Sequence, residues 1–488
     1  MKPRSGHSIC RIPVSIVSST NPRADSVRAR CLRLYLCAQS TLHQHLTSES
    51  GTQSTLMGIA TKTDPERQFI RSQFRYSNAQ LNCVLTFLLL LSATAFAGQD
   101  AGSDPIKAGM DPQGVAAITA RMQAYVDEGY IPGVVTLVQR KGIVAQFEAI
   151  GWQDVEAAKP MRPDSIFQIM SMSKPIAGVA AMMMVEEGKI RLNDPVEKHL
   201  PEFRGQWMID SKSDDRRVLK KPSHPITIRD LMTHTSGMIS DPPPGIAEVL
   251  IKMDRTLAEA VAIYAQQPLE FEPGSRWLYS SPGIATLGRI VEVASGMPYE
   301  EFVRTRIFQP LEMKNSYIFL PAEKHSRLAA VYTLKEGKMV KAGDDLLAGN
   351  PLNYRHGAKY SGPELAVYST AQDLAAFYQM MLNRGYYNGR RLLSPASVEV
   401  MTTVQTGELK AGWVIGSGFG LTWEVTKDPI GQLTLLSPGT FHHGGAFGTF
   451  GWIDPKKDMV GVFLIQWSGN RQDVRDAFIA MAGAAVLP

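Results

Sequence analysis

Residues 176–185, Ile-Ala-Gly-Val-Ala-Ala-Met-Met-Met-Val, are apolar on nearly every side and end at Glu186-Glu187-Gly188. A helix with no polar face is stable only when other elements surround it, so this run puts a helix in the middle of a fold. Pro175 suits the start of that helix, because its ring is tolerated in a first turn and breaks an interior. Immediately ahead stand Ser171-Met172-Ser173-Lys174, a hydroxyl and an amine three residues apart and therefore on one helix face. A lysine carried into apolar surroundings must bury its amine, which is costly without a partner, and burial lowers its pKa toward that of a base. Ser171 is thus a candidate nucleophile and Lys174 its candidate base. Taken alone, Ser-x-x-Lys also fits a helix cap followed by a solvated lysine.

The chain has 488 residues, 44% of them apolar, enough for one large or two small cores. All four cysteines, Cys10, Cys31, Cys37 and Cys83, precede the main body, which therefore has neither a disulfide framework nor a cysteine-ligated metal site. Charge is equally uneven. Residues 1–97 hold 11 Lys+Arg against 4 Asp+Glu, whereas the rest holds 40 against 42. The body thus lacks the basic footprint of a nucleic-acid binder, and no nucleic-acid partner is expected.

The basic segment has its own logic. Arg67, Arg71 and Arg75 precede the apolar run Cys83–Leu91, which gives way to Ser92-Ala-Thr-Ala-Phe-Ala97. A positive region, a short apolar core and a small-residue site, in that order, predict a secretory signal peptide over 67–97, cleaved after Ala97. The run falls short of the roughly 20 residues of a membrane span, which makes an uncleaved anchor the weaker alternative. Residues 1–56 carry no periodic pattern and read as untranslated or disordered, with Met57 an alternative start. Residues 98–488 are then a single catalytic unit, secreted or periplasmic, without a stable membrane span after cleavage.

Along that unit, Ala117–Val126 repeats apolar residues at helical spacing, and Val134–Val138 and Val144–Ala149 flank Arg140-Lys141-Gly142 as a β-hairpin. Thr227 before Ile228–Met232 and Thr370 before a periodic run to Leu382 are helix-start signals. Towards the C-terminus, Gly418–Val425, Leu433–Leu436, Thr449–Ile453 and Met459–Gln466 read as strands, with a turn at residues 454–458 and a last amphipathic helix over Gln472–Val486. The order predicts an α+β fold, an antiparallel sheet flanked by helices, with α/β parts at about 110–165 and 330–488 and a mostly helical insertion at about 166–329.

Two further segments carry candidate chemistry. Tyr279-Ser280-Ser281 stands at a loop-to-helix junction, where a phenol oxygen can take part in proton transfer, although a core tyrosine with one hydrogen bond is the plainer reading. His443-Gly444-Gly445-Ala446 lies on a strand-like segment whose glycines let a ligand approach the backbone. His234 reads as a loop histidine bonded to backbone. His442 is not half of a metal pair, since no further ligand spacing accompanies it. No Gly-x-Ser-x-Gly elbow is present.

Together, Ser171-Met-Ser-Lys174, Tyr279-Ser-Ser281 and His443-Gly-Gly445 resemble the three motifs of the serine β-lactamase-related hydrolases, the class C and penicillin-binding-protein-like group that includes family VIII esterases. Leu231–Gly237, Ile307–Lys314 and the Trp452–Pro455 turn are similar to supporting blocks of that group, and the resemblance covers about residues 110–485. It implies a β-lactamase/transpeptidase-like fold and an acyl-enzyme on Ser171, with Lys174 and Tyr279 sharing general base and general acid work. His443 would bind or polarise the carbonyl side of the substrate, the backbone N–H groups of Ser171 and Ala446 would form the oxyanion hole, and Ser281, Gly444 and Gly445 would line the substrate site. No metal or cofactor is implied.

Two departures from the group bear on substrate. Ser281 replaces the asparagine that holds a β-lactam side chain, and His443 replaces a permanently charged lysine with an imidazole that is neutral near pH 7. Both favour a small-molecule ester substrate over a β-lactam. The alternatives with the same mechanism are a D-amino-acid peptidase, a D-Ala-D-Ala carboxypeptidase or a weak β-lactamase, and the alternative of another class is a non-catalytic ligand-binding member of the fold. Oligomeric state has no signature in the sequence.

Overall fold

The computed structural model describes residues 102–488 apart from 214–215, 241, 244, 344–350, 352–354, 432–433 and 470. The expected leader over 1–97, with its signal peptide at 67–97, lies outside the described residues.

The chain enters through helix α1 (Pro112–Asp127), started by Pro112 and capped by Asp111, whose carboxylate accepts from the Gln113 and Gly114 N–H groups. Strands β1 (Gly133–Arg140), β2 (Ile143–Asp154) and β3 (Lys159–Pro160) follow. After the helical region come β4 (Ser417–Phe419), β5 (Glu424–Thr426), β6 (Phe441–Gly444), β7 (Phe450–Asp454) and β8 (Met459–Leu464). These eight form one antiparallel sheet in the order β4-β5-β6-β7-β8-β1-β2-β3, closed at its centre by β1 against β8 from Val135↔Leu464 to Arg140↔Met459.

β1 is apolar at successive positions because both faces of the sheet are covered. Val135 and Leu137 point into the core shared with the central helices, whereas Val134 and Val138 point into a second core. That second core is shared with α1 and the C-terminal helix Gln472–Ala484, which pack against each other and present Ile118 and Met122, and Phe478 and Ile479, to the sheet. The first and last described helices therefore cover one face.

The other face carries the helical part. Helix α2 (Lys174–Glu186) has 11 buried residues, from Lys174 to Met184, as its apolar sequence requires. Around it lie α3 (Ile228–Thr233), α4 (Leu257–Tyr264), α5 (Ser281–Ser295) and α6 (Tyr299–Val303), while α7 (Ala371–Leu382) packs on β1, β7 and β8. Capping follows the sequence signals: Thr227 and Asp230 form a reciprocal capping box on α3, and the Thr370 side chain accepts from Asp373 N–H on α7. The C-terminal helix, introduced above by its range, is α8.

Three local expectations are corrected. Ser171 does not open an α-helix: Met170–Ser173 is a 3₁₀ turn and the α-helix begins at Lys174. Gly418–Val425 is not one strand but the hairpin β4–β5, because Thr422 adopts a left-handed conformation (φ 67°) and turns the chain. Leu433–Leu436 contributes no strand over its described residues 434–436.

Candidate active site

The 3₁₀ turn brings Ser171 and Lys174 together more directly than an α-helix would, since three residues make one turn and positions i and i+3 eclipse. Lys174 Nζ lies 3.0 Å from Ser171 Oγ and donates at 2.9 Å to the carbonyl of Glu364. Lys174 is fully buried, so these contacts replace the water its amine has lost. Met170, just before Ser171, has φ 50°, an unfavourable conformation for a side chain of its size, held by the packing around it.

Tyr279 faces Lys174 across the site. Lys174 Nζ is 4.7 Å from the centre of its ring, and Tyr279 and Ser171 line the same cavity. Burial pushes the phenol above the ordinary tyrosine range, so it is protonated at rest. His234 fixes this residue from behind. It ends α3 in a left-handed conformation (φ 60°), its Nδ1 accepts from Ser280 N–H at 3.1 Å, and its ring packs 4.5 Å from that of Tyr279. Burial, then the Lys174 charge, hold His234 neutral. Ser281 is the first residue of α5 and does not line the cavity above Ser171; Ser280 caps that helix, accepting from Gly283 N–H and donating to Ile239 O.

The end of β6 forms the opposite wall. His443 Nδ1 is 2.8 Å from the Gly444 carbonyl, and since a carbonyl only accepts, Nδ1 carries the proton. Burial, then the nearby Lys174, push this imidazole down to about 3, so Nε2 is a bare acceptor with no described partner. Of the two roles expected from the sequence, binding or polarising the carbonyl side of the substrate, that tautomer suits binding through a donor on the substrate, since a bare acceptor does not polarise a carbonyl. Gly445 is a glycine for packing: a Cβ there would lie 2.3 Å from Ile169 O and 2.2 Å from Thr449 Oγ1. Thr449 Oγ1 also donates to Ile169 O at 3.1 Å, so this strand end is pressed onto the turn that carries Ser171. Gly444 is not so confined. Neither the Ser171 nor the Ala446 N–H donates to another described residue, which leaves both available to an oxygen over Ser171.

A cavity of about 620 Å³ opens there, lined by Ser171, Tyr279, His443, Gly444, Gly445 and Ala446. Trp413 and Val414 form its apolar lip, with Trp413 packed 4.9 Å from Tyr279 and 61% exposed. Arg471 and Arg475 also line it, Arg475 paired with Asp476 at 2.8 Å. Trp413 and Glu364 escape sequence reasoning, because one sits in a loop without periodicity and the other matters through burial alone. Among the described residues no group of three His, Cys, Asp or Glu side chains is placed to hold a metal, and no helix is long and apolar enough to cross a membrane.

The chain is similar to known proteins over most of its length. The Beta-lactamase family profile matches residues 118–486. Esterase EstB of Burkholderia gladioli is 30% identical over 383 residues, covering 72% of this chain and 91% of that protein. Among solved structures, EstCE1, a hydrolase with promiscuous acyltransferase activity, aligns with a TM-score of 0.66 at 26% identity, over 77% of this chain and 99% of that chain. The octameric penicillin-binding protein homologue from Pyrococcus abyssi aligns with a TM-score of 0.58 at 25% identity, over 76% of each chain.

Proposed function

Because this chain belongs to the Beta-lactamase family and is a serine hydrolase of that superfamily, we propose that it cleaves carboxylic esters through a covalent acyl-enzyme on Ser171. The observation that carries the reading is the 3.0 Å contact of Ser171 Oγ with the buried Lys174 amine, with Tyr279 lining the same cavity. As Oγ attacks the ester carbonyl carbon, Lys174 takes its proton and the carbonyl electron pair moves onto oxygen, where the Ser171 and Ala446 N–H groups receive it. Each such donor contributes about 3 kcal/mol to the transition state. Tyr279, protonated at rest, donates to the departing alkoxide. Water then repeats the sequence on the acyl-enzyme with the same groups in reverse.

Three features favour esters over β-lactams. His443 is a neutral acceptor where a carboxylate-binding ammonium is expected, Ser281 is off the cavity wall, and the lip at Trp413 and Val414 is apolar. Arg471 in the cavity lining supports a second reading, a peptidase acting on a substrate with a terminal carboxylate such as D-Ala-D-Ala. The decisive experiment compares a short p-nitrophenyl ester, a D-Ala-D-Ala peptide and nitrocefin on wild type and Ser171→Ala. Ester turnover lost in the variant is the expected result; full activity of the variant would sink the acyl-enzyme, and faster peptide turnover would favour the second reading. Secretion belongs to the same proposal, supported by residues 67–97: N-terminal sequencing of exported protein should begin at Gly98.

A further inference from the structure

Lys174 reaches past Ser171 to the carbonyl of Glu364, and the side chain of that same residue has no part in the acyl transfer above. Glu364 lies in the turn Gly362–Leu365, closed by the Leu365 and Ala366 N–H groups on Gly362 O. The turn is seated on α5 where Gly288 makes room for it, since a Cβ at Gly288 would lie 2.2 Å from the Pro363 ring. The carboxyl is therefore fixed as well as buried, at 3% exposure. Its Oε1 accepts from the Tyr360 hydroxyl at 2.8 Å, Tyr360 is hydrogen-bonded in turn to Tyr264 of α4, and Oε2 is buried with no hydrogen-bond partner among the described residues.

The groups facing this carboxyl are few. Tyr264, Tyr279, Tyr299 of α6 and Tyr360 feel its charge and are all raised by burial, hence uncharged. His234 and His443, on the far side of Lys174, are neutral. Burial is the largest influence on the carboxyl and raises it above the ordinary range; among the described residues two cations act against that, first Lys174 and then Arg355, whose guanidinium is also held by the Ile318 and Tyr360 carbonyls. A carboxyl this deep is costly unless a counter-charge accompanies it, and Lys174 is the stronger of the two.

We propose that Glu364 is a positioning residue, the counter-charge that holds the ammonium formed when Lys174 takes the Ser171 proton. The inference rests on the roles given above to Ser171 and Lys174. In the step concerned, the Oγ–H bond breaks, its proton joins the Nζ lone pair, and Oγ bonds to the carbonyl carbon while the carbonyl electron pair moves onto oxygen; the new positive charge sits near Glu364 until Lys174 returns the proton to Oγ in deacylation. The carboxylate makes Lys174 a stronger base and sets the pH at which it becomes neutral enough to act.

The test is the pH dependence of Ser171 phosphonylation by a fluorophosphonate, measured on the full chain, which needs no knowledge of the natural ester. Glu364→Gln keeps the shape and the Tyr360 hydrogen bond but removes the charge, so Lys174 loses its proton more readily. The acid limb should move to lower pH by about one unit or more, a factor of about ten in the neutral fraction of Lys174 on that limb, with a lower plateau rate. Glu364→Asp should restore the wild-type limb. If Glu364→Gln fails to fold, Tyr360→Phe carries the same test, because it withdraws the donor that stabilises the carboxylate and should move the limb the same way. A folded variant whose acid limb is unmoved, or moves to higher pH, overturns the inference alone. A wild type that is never labelled, or a Ser171→Ala variant that is, overturns the nucleophile assignment and the inference with it.

Discussion

At the scale of single residues, the site depends on which groups are charged. Lys174 is, among the described residues, the basic side chain hydrogen-bonded to Ser171, and the two imidazoles near it, His234 and His443, are kept neutral by burial and then by the Lys174 charge. A neutral, raised Tyr279 complements it as a proton donor. Tyr279→Phe removes the donor while keeping the ring that packs on His234 and Trp413. It should lower kcat by about 10²- to 10⁴-fold with little change in KM, as steady-state kinetics on a p-nitrophenyl ester would show. A KM that rises with kcat intact would instead make Tyr279 a binding residue.

At the scale of elements, the site is the meeting of a 3₁₀ turn with a strand end. Gly445→Ala forces a Cβ into Ile169 O and Thr449 Oγ1 and must push β6 away from the turn. Displacements of this size near reacting groups cost about 10²-fold, so esterase activity should fall at least that far while the far-ultraviolet circular dichroism stays native. The same junction shows what the sequence could reveal. Helix α2 was legible because an all-apolar run with Pro175 at its start has one sensible place, and the caps at Thr227 and Thr370 because their partners are local. The hairpin β4–β5 was not, since the turn at Thr422 is secured by its N–H on Met232 O, a contact nearly 200 positions away. Glu364 was invisible for a related reason: its importance comes from burial beside Lys174, and nothing in Ser361-Gly-Pro-Glu364 announces it.

At the scale of the molecule, the buried histidines make stability depend on pH in a defined direction. His443 titrates at about 3 in the folded chain against an ordinary 6.5, so between those values the unfolded chain binds the extra proton and stability rises with pH. The contribution is complete above 6.5 and lost as pH falls toward 3; at pH 5 His443 alone costs about 2 kcal/mol. His234 and His442, also lowered by burial, act in the same sense. Thermal melts should show a lower Tm at pH 5 than at pH 7.5, and His443→Asn should flatten that difference; equal melting at both would contradict a buried neutral imidazole.

The central pairing of β1 with β8 joins segments about 300 residues apart, and β6, which supplies His443 and leads into the turn at Ala446, lies in the later of them. Contacts of such long range form slowly and only after the whole intervening chain has been made. A chain still emerging from the ribosome thus carries Ser171 without the strand end that faces it, and the site is complete only after β8 has been made.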